Sequence, residues 1–234
     1  MTQTHSWHTE SVRFSLLGVT DGAKISWQSI TGKEAESMTN RPAQQLIIEE
    51  GPFGEGRLVV TSQPGRIDIT LSAMPVDPFT PPSLGAFEEI AQSFERRLSS
   101  LKMPTAARLA FGATLNMYPG NLETSNALFR QLVPQVQIDS SISDLIFQFN
   151  RPKKYPKISG LVMNRLTKWS QLAFQTVQYQ NNMTMNPVSK PVLQLELDFN
   201  SHPESKLPSS SAYGPLVAAF FIEAREIVAG GEIG

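Results

Sequence analysis

The chain has 234 residues, no cysteine, and a formal net charge of −1 with a pI near 6.3. The missing cysteines exclude disulfides, thiolate metal centres and a cysteine nucleophile, and no apolar run approaches the roughly 20 residues of a bilayer-spanning helix. The N-terminal stretch MTQTHSWHTESVRF lacks the apolar core and small-residue cleavage site of a signal peptide, so a soluble cytoplasmic protein with no membrane partner is expected.

In chain order, the periodicities predict strands over 12–17, 23–29 and 45–50, with a short helical piece near 32–37. Ile67, Ile69, Leu71 and Ala73 alternate with Arg66, Asp68, Thr70 and Ser72, and the Pro64-Gly65 turn joins them to residues 57–63 as a hairpin. Beyond Pro81 and Pro82, the positions Leu84, Phe87, Ile90, Ala91, Phe94, Leu98 and Leu101 form the apolar stripe of a long helix, with Ser83 as its N-cap. Strands are predicted over 108–117, 143–149, 159–166 and 171–180, with a short helix over 124–132. Leu193, Leu195, Leu197 and Phe199 then alternate with Gln194, Glu196, Asp198 and Asn200, which describes a strand with one dry and one wet face. A second long helix over 212–229 buries Tyr213, Leu216, Val217, Phe220, Ala224, Ile227 and Val228 and stops at Gly230-Gly231. The extra apolar residues Phe221 and Ile222 make it apolar on more than one face, which core burial or an oligomer interface would use.

Residues 10–101 and 106–230 share this order of elements. The expected fold is therefore α+β, with two similar antiparallel sheets, each packed against one long helix in a β-α-β(3-4)-α plan. The two halves, 1–104 and 105–234, divide near Pro104 and are expected to fuse into one unit.

The near-neutral total hides a segregation of charge. Residues 1–144 carry 11 basic and 15 acidic side chains, residues 145–194 carry 7 and none, and residues 195–234 carry 2 and 6, giving −4, +7 and −4. Arg151, Lys153, Lys154, Lys157, Arg165 and Lys168, with Tyr155 as a stacking ring, are the candidate partner-binding residues of this acid-free stretch. Cations interleaved with an aromatic suit an anionic surface, and an acidic protein is preferred to nucleic acid because the pI is far from that of typical nucleic-acid binders. A contiguous patch requires Arg165 and Lys168 to share the exposed face of the 151–157 loop.

Three stretches carry a resemblance. Arg108-Leu109-Ala110-Phe111-Gly112-Ala113-Thr114-Leu115-Asn116 follows a strand of the type R-L-G-L-R-Y-I-N, Leu195-Glu196-Leu197-Asp198 follows L-D-I-D, and Phe221-Ile222-Glu223-Ala224 loosely follows F-x-x-I-T. In these marks, their order and the basic-led hairpin at 57–71, the chain resembles a sporadically distributed family of prokaryotic proteins of about this length with no assigned activity. Ala113 or a neighbour stands where that pattern has its second arginine. The resemblance implies a bacterial origin and an α+β fold, and scattered occurrence fits accessory or defence-type genes.

No catalytic, metal or cofactor motif of comparable strength is present. Asp198, His202, Glu204 and Ser209 to Ser211 bring carboxylate, imidazole and hydroxyl close in sequence, yet without a nucleophile elbow they read as a surface loop capping the last helix. Asp198 is instead expected to pair with an arginine such as Arg108. His5 and His8 flank Trp7 and read as a frayed terminus rather than a metal site. Glu88, Glu89, Glu95, Arg96 and Arg97 read as a solvated helix face, and the glycines of residues 51–56 lack the Lys and Ser/Thr of a phosphate loop. The expected function is a non-enzymatic binding or assembly protein recognising an acidic protein, with nucleic-acid binding, a homo-oligomer, or a small-ligand or enzymatic pocket between sheet and helix as alternatives.

Overall fold

Alternating apolar and polar side chains dominate the chain, and the strands they build join edge to edge into one layer. The computed structural model describes residues 6–20, 22–77, 79–155, 158, 160–176, 179–180, 183–184 and 188–232. Its elements are β1 (His8–Leu17), α1 (Trp27–Thr31), β2 (Ser37–Arg41), β3 (Leu46–Phe53), β4 (Gly56–Gln63), β5 (Arg66–Ala73), α2 (Phe87–Ser100), β6 (Arg108–Met117), α3 (Leu122–Leu132), β7 (Ile146–Asn150), β8 (Lys153–Lys154), β9 (Val162–Thr176), β10 (Tyr179–Gln180), β11 (Met183–Thr184), β12 (Val188–Ser201) and α4 (Gly214–Gly230). No helix among the described residues is long and apolar enough to cross a membrane.

The expected pair of sheets, each with its own helix, is not what forms. One 10-stranded sheet runs in the order β2-β3-β4-β5-β1-β6-β12-β9-β7, with β8 also on β9, and every described pairing in it is antiparallel. The reason is the pairing of β1 with β6, from His8↔Asn116 to Leu17↔Arg108. Two separate sheets would each leave a long unpaired edge there. The two long helices do not back separate sheets either. They lie side by side, with Phe94 of α2 edge-on to Phe221 of α4 at 6.4 Å, and Arg225 of α4 paired with Glu88 and Glu95 of α2.

Register decides which residues meet these helices. Phe14 stands opposite Phe111, and Phe111 opposite Phe199, so three fully buried rings from three strands line up on one face. Phe221 covers them, its ring 4.6 Å from that of Phe111. On the same face Phe129 of α3 packs edge-on to Trp169 and Phe147, and Trp27 of α1 seats on Gly51, where a side chain would collide with the indole. Burial of each such ring contributes about 2 to 3 kcal/mol. The other face carries the polar half of each alternation.

Local expectations fail where backbone partners intervene. Residues 23–29 form no strand, because Ser26 Oγ accepts a hydrogen bond from the Ser29 N–H and starts α1, which Gly32 ends in the left-handed region at φ 75°. The first long helix starts at Phe87 and not after Ser83, since the backbone of Leu84 and Gly85 bonds to Thr9 and holds that segment out of the helix beside β1. The strands expected over 159–166 and 171–180 are one strand, β9. Trp7 and His8 are not frayed: Trp7 is buried edge-on against Trp169 at 5.9 Å and His8 begins β1, while His5 lies outside the described residues.

Gly231 ends α4 at φ 72°, with Leu132 of α3 directly against the position a Cβ would take. Both conformation and contact therefore demand glycine. Gly231→Ala is expected to lower unfolding free energy by about 2 kcal/mol or more, read as a shifted urea midpoint at unchanged slope.

Candidate functional site

The cations of the acid-free stretch are largely spent inside the molecule. Arg165 and Lys168 are three residues apart on one continuous strand and so leave opposite faces. Arg165 points toward the helices, where its Nη1 lies 2.5 Å from Glu223 Oε2 of α4. Lys153 Nζ reaches the other oxygen of the same carboxylate at 2.5 Å, and Glu226 at 4.0 Å. Arg151 lies over the Phe149 ring at 4.9 Å, with its Nε 3.9 Å from Glu232. Lys168 is on the far side of the sheet, 2.6 Å from Glu196. Tyr155 donates its hydroxyl to the Pro215 carbonyl at 3.4 Å. Of the seven candidates, Lys154 is exposed with no ion pair among the described residues, and Lys157 lies outside them. Acids of the C-terminal segment therefore pair with four of these cations, and Arg165 and Lys168 do not share one surface.

Glu223 is the centre of this arrangement, its side chain only 7% exposed, against 18% for Arg165 and 46% for Lys153. Removing its charge strands the Arg165 guanidinium in a partly buried site. Glu223→Gln is expected to cost about 3 kcal/mol in chemical denaturation, and Arg165→Met in the same chain to recover part of it.

The face left open by the helices carries a different constellation. Cross-strand register sets Thr70, Arg13, Gly112, Asp198 and Leu166 in one row over five adjacent strands, and Ser72, Ser11, Thr114, Glu196, Lys168 and Gln148 in the next row over six. A groove of about 360 Å³ runs along these rows, lined by Ser11, Arg13, Thr70, Gly112, Thr114, Gln148, Leu166, Lys168, Glu196 and Asp198 among others. Gly112 is its floor. Its backbone lies outside the left-handed region, so the glycine is not required by conformation; in the middle of a central strand it marks space left above the sheet.

The Arg13 guanidinium lies over that floor. A Cβ on Gly112 would stand 3.5 Å from Arg13 Nη2 and 3.8 Å from Nε, an ordinary contact. Arg13 is half-buried and has no hydrogen-bond or ion-pair partner among the described residues. Across the floor, Asp198 accepts the Asn200 amide on Oδ1 at 3.2 Å and leaves Oδ2 without a described partner. The expected Arg108–Asp198 pair does not form. Arg108 donates to Asn200 Oδ1 at 2.6 Å and to the Ser201 carbonyl at 3.0 Å, which closes a hydrogen-bonded row with Asn164 beside the groove. Arg13 and Gly112 were missed in sequence because each looks ordinary alone. The available signal was a glycine at the centre of an otherwise well-patterned strand.

The remaining candidates stay unconnected. His202 Nδ1 accepts the Glu204 N–H at 3.3 Å, and Ser209 bonds Ser211 at 3.0 Å, away from the groove. The His8 ring lies tilted against that of Tyr118 at 5.4 Å, and no cluster of three metal-ligating side chains occurs among the described residues. Burial and the nearby Glu10 charge push the Tyr118 phenol up. Compared with protein-family models and with curated protein sequences, the chain matches none.

Proposed function

We propose that this protein is a non-enzymatic binding protein whose ligand lies in the groove on the open sheet face, anchored by an anionic group on Arg13. The carrying observation is the half-buried guanidinium without a protein partner, held above a glycine floor. An arginine presents five donors in a planar fork matched to a carboxylate or phosphate, and at this half-buried position none of them has a partner among the described residues. The hydroxyls of Ser11, Thr70 and Thr114 and the amide of Gln148 supply further polar contacts. In thermal-shift measurements with acetate, succinate and inorganic phosphate, at least one anion is expected to raise Tm of the wild-type chain and leave Arg13→Gln unmoved. No shift with any of the three, or equal shifts in both chains, sinks the proposal.

A second reading keeps the acidic protein partner, now at the surface where Lys154 is exposed beside Tyr155. Lys154→Glu is then expected to abolish salt-sensitive capture of partner proteins in pull-downs at low ionic strength while leaving Tm unchanged, and unaltered capture removes this alternative.

A further inference from the structure

From the charges on either side of Gly112 we infer that the groove is a site for a zwitterion, of the α-amino acid class, with the ligand carboxylate on Arg13 and its ammonium on Asp198. The inference rests on the anion-anchoring role proposed for Arg13 and adds the second charge.

Arg13 and Asp198 are both register partners of Gly112, one from β1 and the other from β12. Their Cα atoms are thus two strand spacings apart, roughly 10 Å, with no side chain between them. The guanidinium reaches in over the glycine, yet the two groups form no ion pair with each other. A cation and an anion that face one another over a glycine without pairing are complementary to a ligand that carries both signs close together, and an α-amino acid does so on a single carbon. An anion alone binds Arg13 beside an uncompensated Asp198 carboxylate, whose repulsion weakens it relative to a ligand that also carries an ammonium. Asp198 Oδ2 is the acceptor left over after Asn200 has taken Oδ1. Glu196 and Lys168 neutralise one another in the adjacent row and so leave the balance at the floor unaltered. The hydroxyl and amide lining favours a polar side chain on the ligand.

The test is isothermal titration of the full chain with the common α-amino acids, then with the N-acetyl and carboxamide derivatives of any that binds. At least one free amino acid is expected to bind, and both derivatives to lose at least about tenfold in affinity, ~1.4 kcal/mol. Asp198→Asn, an isosteric change, is expected to abolish the preference for the free ammonium, and Gly112→Val to abolish binding by crowding the Arg13 guanidinium off the floor. Far-UV circular dichroism and an unchanged Tm show that each variant is folded. If no amino acid binds, or an N-acetyl derivative binds the wild type as tightly as its parent, the zwitterion site is wrong. If that N-acetyl derivative also requires Arg13, the anion anchor survives alone; if Arg13→Gln changes nothing, both fall.

Discussion

The antiparallel pairing of β1 with β6 is the constraint on which the molecule depends. It joins residues about a hundred positions apart in the chain, turns two sets of strands into one sheet, and puts Phe14 opposite Phe111 on one face and Arg13 opposite Gly112 on the other. Because side chains alternate, a slip of one residue would exchange the faces and place Arg13 against the helices. The ring row of Phe14, Phe111 and Phe199 under Phe221 makes such a slip costly. The hydrophobic core thus sets the geometry of the polar groove above it.

Charge follows the same division between faces. On the helix side, a single carboxylate on α4 holds two cations, from β9 and from the short β8, and so ties the edge of the sheet to the helix layer. A buried ion pair of this kind gains little over an apolar contact, but it is expensive to break, which makes it a device for fixing position. On the open side, Lys168 and Glu196 pair across strands as expected for neighbouring opposite charges. Against these satisfied groups, Arg13 stands out because its neighbour in the row is a glycine.

Much of the local structure was legible in the sequence. The strand at Arg108–Met117, the hairpin of β4 and β5, and α4 with its stop at Gly231 follow from alternation, a Pro-Gly turn and a 3.6-residue stripe. Where local signals misled, a distant backbone was responsible. Ser83 has the chemistry of an N-cap, yet Thr9 holds the residues after it out of the helix, and α2 begins three residues beyond the position expected. The acid-free stretch was a true feature read in the wrong frame, since the acids that answer Lys153 and Arg165 lie some sixty residues further on, in α4.

What the sequence by itself determined are the periods: which segments are strands or helices, and which side chains share a face within each. Periodicity carries no information about which strand lies next to which, because pairing is made by backbone groups common to every residue. Only the tertiary structure decided that β1 adjoins β6, that Arg165 and Lys168 leave opposite faces of a continuous β9, and that Arg13 and Asp198 face one another over Gly112. The candidate site is a property of three adjacent strands drawn from the two ends and the middle of the chain, and each of its residues is unremarked until the register brings it beside the others.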